Sequence, residues 1–107
     1  MSPPWRLLDT GVRDAATNMC LDKALLEARA GGHAPDTVRF LQFDPPAVLV
    51  GYHQAVDLEV RVPYCEEQGI DINRRLTGGG AIFFDRTQLG WEVIAGREFS
   101  VASIEIE

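Results

Sequence analysis

Two adjacent arginines, Arg74 and Arg75, are separated only by Leu76 and Thr77 from the run Gly78-Gly79-Gly80, within the segment NRRLTGGGAIFFD. Glycine has no Cβ, so its backbone can take positive φ and come close to a ligand. Successive exposed N–H groups form an anion-binding concavity. A guanidinium beside them adds a planar fork that grips phosphate or carboxylate at two points. That combination suits an enzyme joining two anions, such as a carboxylate and a nucleotide phosphate, whose repulsion must be offset by fixed donors and cations. Composition alone leaves a hairpin loop or bulge equally open. The segment fits neither G-x-x-x-x-G-K-[ST] nor a helix-opening G-x-G-x-x-G, which disfavours a standard P-loop and a dinucleotide fold.

The elements that must position these residues read as mixed α/β. In IDINRRL, strand alternation puts Ile72, Arg74 and Leu76 on one face and Asn73 and Arg75 on the other, so the two arginines part company. The glycines then form a tight loop, AIFFD the next strand, and LGWEVIA a strand antiparallel to it. Upstream, Trp5 to Leu8 reads as a strand closed by a turn at Asp9-Thr10-Gly11. DAATNMCLDKALLEARAGG reads as a helix, capped by Asp14 or Thr17 and stopped by Gly31-Gly32. Its apolar face is expected at Leu21, Ala24, Leu25 and Ala28. TVRFLQF and AVLVG read as buried strands, joined by so short a turn at Asp44-Pro45-Pro46 that an antiparallel pair is expected. YHQAVDLEV reads as a polar loop, and PYCEEQG as a short helix with Pro63 in its first turn and Gly69 as its stop.

The 107 residues, 46% hydrophobic and 24% charged, fit one globular domain or a piece of a larger one. A net charge of -6 argues against a general nucleic-acid or anionic-membrane surface. No run is long enough to span a bilayer, and the N-terminus lacks a signal-peptide core, so a cytoplasmic location is expected. Cys20 and Cys65 read as free thiols, Cys65 packed in the short helix, and the two cysteines and two histidines are too few for a zinc site. His53 reads as an exposed loop residue, Trp91 and Phe83 as core, Asp85 as a turn former, and Glu92 receives no role.

RRLTGGGAIFFD followed by QLGWEVI resembles the signature of the lipoate–protein ligases, a family related to lipoyl and octanoyl transferases and, more distantly, to biotin–protein ligases. VLVGYHQ resembles the family's strand ending in Gly with a nearby Gln, and NMCLDKALLEA its first helix, so the likeness runs over nearly the whole chain. The resemblance implies a mixed, largely antiparallel sheet flanked by helices, with residues 1–107 the N-terminal part of a catalytic domain. It implies activation of lipoate with ATP and Mg to lipoyl-AMP, then transfer to a lysine of an acceptor protein domain. An octanoyl or lipoyl transferase, which uses no ATP, and a non-catalytic lipoyl-binding module are the alternatives. By the resemblance, Arg75 contacts the activated acyl group or its phosphate. Gly78, Gly79, Gly80 and Ala81 cradle the ligand, and Tyr52, Gln54 and Phe84 line the pocket. Phe84 stands where many members carry histidine. The family's essential lysine lies beyond the glycine strand, whereas Lys23, the only lysine, sits on the first helix and reads as solvated. No catalytic residue and no metal ligand is therefore assigned. The chain is expected to be half of a catalytic domain, completed by a longer reading frame or a separate chain, and unstable alone because it leaves an uncovered apolar face.

Overall fold

The computed structural model describes residues 4–96. Strand β1 (Arg6–Arg13) leads into helix α1 (Ala15–Ala30), followed by β2 (Thr37–Phe43) and β3 (Ala47–Val50). Helices α2 (Val56–Glu59) and α3 (Val62–Gln68) precede β4 (Asp71–Arg74), β5 (Ile82–Phe84) and β6 (Gly90–Ile94). The strands form two three-stranded sheets, ordered β1-β2-β6 and β4-β3-β5. Each is mixed: β1 runs parallel and β6 antiparallel to β2, while β4 runs parallel and β5 antiparallel to β3.

Local chemistry explains most boundaries. Asp14 caps α1, its Oδ1 accepting from Thr17 N at 2.8 Å. Gly31 N and Gly32 N close the other end on Glu27 O and Arg29 O. Gly69 ends α3 with φ at 66°, in the left-handed region that favours glycine. The turn signal at Asp9-Thr10-Gly11 does not end β1. The chain absorbs it as a bulge, with Gly11 at φ 71° donating to Asp9 Oδ1, and pairing with β2 resumes at Val12. Val56–Glu59, expected as loop, makes a single helical turn.

Two expected strand pairings are replaced. β2 and β3 do not pair with each other but lie in different sheets. Pro45 and Pro46 offer no N–H where a hairpin ladder would need one, and the chain crosses between sheets there. β6 likewise pairs with β2 and not with β5. Asp85 accepts from Thr87 N and Oγ1 and Gln88 Oε1 accepts from Asp85 N, a self-contained turn that carries the chain from one sheet to the other.

The core lies where the two sheets meet α1: Ala15, Leu41, Phe43, Ala47 and Leu49 are buried together, with Met19 and Phe84 against them. Phe43 and Phe84 stack at 4.8 Å, joining the sheets. On α1 the expected Leu21, Leu25 and Ala28 are half-buried, but the inward face also takes in polar residues. Ala24 is exposed, while Asn18 is fully buried and Asp22 half-buried. Both side chains turn inward to meet Arg39. Opposite, Leu7 (70% exposed) and Trp91 (65%) flank the half-buried Val38 and Phe40 on the outer face of the first sheet. Among the described residues nothing covers this face. Residues 97–107, ambiguous in sequence, lie outside the described residues.

Candidate functional site

The glycine loop is not a hairpin. β4 and β5 flank β3 on opposite sides, so Leu76 to Ala81 must cross the end of β3. Gly51 sits where the loop passes over. A Cβ there would lie 2.0 Å from Gly79 O, so only glycine permits the crossing. Gly79 has φ 103°, again a glycine conformation. Tyr52 N donates to Thr77 O and Arg75 N to Val50 O, fastening the loop's base to the strand end.

The two arginines diverge as alternation requires. Arg74 Nη1 donates to the carbonyls of Gly51, Tyr52 and Gln54 at 3.0, 3.0 and 2.6 Å, clamping the turn after β3. Arg75 turns the other way and donates to Gly78 O and Gly80 O, both at 2.6 Å, and to Leu49 O at 3.2 Å. With the carbonyls of Gly78 and Gly80 drawn to Arg75, the N–H groups of Gly78, Gly79 and Gly80 find no hydrogen-bond partner among the described residues. Every acceptor on Arg75 is a neutral oxygen, so among the described residues no carboxylate offsets the guanidinium.

Arg75 also lines a cavity of about 150 Å³ walled by Met19, Leu41, Phe43, Leu49, Ile82 and Phe84. That is below the roughly 300–1,000 Å³ of drug-sized ligand sites and suits a slender apolar chain. Of the residues expected to line a pocket, Phe84 does so. Tyr52 and Gln54 are not in this lining: Tyr52 is exposed against His53, and Gln54 Oε1 accepts from Gly51 N, a turn-forming role. Trp91 and Phe83, read as core, are exposed, although Trp91 borders the cavity. A larger open hollow of about 530 Å³ beside Val60, Pro63 and Tyr64 contains none of the expected site residues.

Composition gave no hint of the polar wall of this cavity. Asp22 and Glu92 both line it, and both bond Arg39, which is fully buried on β2. Arg39 Nε donates to Thr10 Oγ1 at 3.0 Å, Nη2 to Asn18 Oδ1 at 2.8 Å, and Nη1 to Glu92 Oε1 at 2.9 Å and to Asp22. Register explains the meeting, since Arg39 stands directly opposite Glu92 across β2 and β6. Burial, and then the neighbouring Asp22, push the Glu92 carboxyl up to about 8, against the pull of Arg39. The one available sequence signal was an arginine on the face shared by Leu41 and Phe43. Its partners are dispersed over a helix and two strands.

Arg75 thus stands in the wall of a largely apolar slot, whereas Gly78, Gly79, Gly80 and Ala81 are not in its lining. Several solved structures are similar to this chain. A bi-partite lipoate protein ligase from Thermoplasma acidophilum, studied with its E2 lipoyl domain, superposes with a TM-score of 0.70 at 31% identity, over 92% of this chain and 38% of that one. A lipoate-protein ligase A bound with ATP gives 0.67 at 31% identity, over 96% and 41%. Residues 14–105 match the lipoyl protein ligase A/B catalytic domain, and the chain belongs to that family. The octanoyltransferase LipM of Moorella thermoacetica is 42% identical over 91 residues, 85% of this chain and 33% of that protein. LipM of Symbiobacterium thermophilum is 40% identical over 98 residues, covering 92% and 35%. The chain thus spans about a third of the length of these curated relatives.

Proposed function

We propose that this chain is the acyl-binding portion of an enzyme that transfers an octanoyl or lipoyl group to a lipoyl-acceptor protein domain, and that residues 1–107 form part of its catalytic domain. The observation that carries the reading is Arg75, charged and bonded only to neutral oxygens, in the wall of the apolar cavity beneath the glycine crossover. The cavity walls hold the acyl chain by excluding water. Arg75 in the cavity wall stabilises negative charge at the polar end, and the unbonded N–H groups of Gly78 to Gly80, with Ala81 after them, are assigned the same role from the adjoining loop. The names of the similar curated proteins favour octanoyl transfer. The ATP-bound ligase among the similar structures favours a second reading, in which the same N–H groups meet a nucleotide phosphate during ATP-dependent activation of lipoate. For the Mg implied by that reading, the described residues offer no cluster of three or more His, Cys, Asp or Glu, so no step is routed through a metal. Among the described residues no helix is long and apolar enough to cross a membrane, which fits the cytoplasmic location we propose.

Calorimetric titration with octanoate and with lipoate tests the assignment. Both should bind, and Arg75→Ala should weaken them by roughly tenfold, about 1.4 kcal/mol, as expected for a charge-assisted hydrogen bond. Arg74→Ala should act mainly on folding, through the turn it clamps. Equal losses of affinity in the two variants would defeat the role given to Arg75. Pyrophosphate release from ATP on adding lipoate, in the full chain with any downstream polypeptide, would select the ligase reading over the transferase.

A further inference from the structure

Glu92 and Asp22 border not one cavity but two. Beside the acyl slot lies a second hollow of about 250 Å³, lined by Asp22, Leu26, Leu76, Thr77, Glu92, Val93 and Ile94. Asp22, Leu76, Thr77 and Glu92 are common to both, so the carboxylate pair stands at the seam. The charged groups lining the two spaces are Asp22 from α1, Glu92 from β6 and Arg75 from the glycine loop. Behind the pair lies Arg39 from β2, sealed by Asn18 and Thr10.

We propose that Glu92, paired with Asp22 across Arg39, is a specificity-determining residue that sets how much negative charge an acyl ligand can bring into this cavity. The inference rests on the acyl reading of the cavity. One guanidinium cannot fully neutralise two half-buried carboxylates, so the pair retains a proton through neutral pH, and burial places it on Glu92. With Glu92 protonated, the four groups carry one net positive charge, and an anionic ligand is favoured. With Glu92 ionised they carry none, and the anion faces two carboxylates across a partly desolvated space. A ligand whose polar end is uncharged is indifferent to the change. The cavity therefore discriminates acyl anions from acyl amides or esters in a way that Glu92 tunes.

Octanoate and octanamide, titrated into the full chain from pH 6.5 to 9.0, separate the two effects. Octanoate stays anionic throughout, and its affinity should fall by roughly fivefold as Glu92 ionises, while octanamide binding stays level. Glu92→Gln should remove the slope. Asp22→Asn relieves Glu92 of its neighbouring charge, so the fall should move to lower pH; this variant decides the matter if Glu92→Gln does not fold. Parallel pH profiles for the two ligands, or an unchanged slope in Glu92→Gln, would overturn the inference and leave the acyl site standing. Failure of both ligands to bind at any pH would overturn the acyl reading and the inference with it.

Discussion

Arg39 and Arg75 are both held by hydrogen bonds within the protein, and they illustrate opposite uses of a guanidinium. Arg39 is fully buried and meets two carboxylates, so its charge is consumed where it stands. Arg75 is half-buried and meets carbonyl oxygens of Leu49, Gly78 and Gly80, which fix its plane without cancelling its charge. The number of bonds is similar; the charge of the partners decides which arginine can still attract a ligand. Arg39 locks α1, β2 and β6 together, whereas Arg75 holds a loop in place through neutral oxygens, which leaves it available for the anchoring role proposed above.

The sharpest way to break this contrast is to remove each arginine and measure stability. Arg39→Met should cost about 3–5 kcal/mol in urea unfolding, because Asp22 and Glu92 would be left half-buried without their cation. Arg75→Ala should cost about 1 kcal/mol, since the carbonyls it releases lie near solvent and can turn to water. Equal losses would mean that Arg75 is as structural as Arg39.

A smaller effect sharpens the loop side. Gly51→Ala would drive a Cβ to 2.0 Å from Gly79 O, with backbone on both sides of the clash. The crossover must lift, at about 1–3 kcal/mol by analogy with overpacked cores, and octanoate affinity should fall with it because Arg75 loses its seat. Gly78→Ala is the control: a Cβ there meets nothing within 4 Å, and Gly78 is not among the glycines with positive φ. If both variants bind alike, the loop does not depend on its close approach to β3.

The difference between the two arginines also marks what was legible in the sequence. The Arg75 region is a contiguous segment, and alternation along Ile72 to Leu76 suffices to separate Arg74 from Arg75. Caps at Asp14, Gly31 and Gly69 are equally local. The Arg39 network joins residues 10, 18, 22, 39 and 92, and nothing in local spacing brings them together. The same reason explains the mistaken partners of β2 and β5. Short connections at Asp44-Pro45-Pro46 and Asp85 to Leu89 resemble hairpins, but the pairing of β6 with β2 is decided by Arg39 opposite Glu92 and Gly90 beneath Leu41. On helix α1 the apolar periodicity marks Leu21, Leu25 and Ala28, which are half-buried, but not the buried Asn18 and half-buried Asp22, whose partner Arg39 is distant in sequence.

The pH dependence of folding also separates the two regions, by its sign. Glu92 has an ordinary value of 4.5 and is raised to about 8 in the fold, by burial first and by Asp22 next. The folded chain therefore holds a proton that the unfolded chain releases. The associated stability is complete below 4.5, declines as pH rises toward 8, and is spent above it. Asp14, Asp36 and Asp85 act in the reverse sense. Hydrogen bonds from Thr17, Arg29 and Thr87 respectively hold them below their ordinary 3.8, so their contribution is present above that value and lost as pH falls through their folded values. Asp14 is exposed and Asp36 and Asp85 are half-buried at the surface, and their effect is screened. Stability should peak on the mildly acidic side, with Tm clearly lower at pH 8 than at pH 5. Glu92→Gln should flatten that decline while leaving the acid limb unchanged, whereas Arg75→Ala should leave both limbs as they are. An alkaline decline that persists in Glu92→Gln would show that the Arg39 cluster does not hold the proton assigned to it, and the division between a neutralised and an available arginine would lose its electrostatic basis.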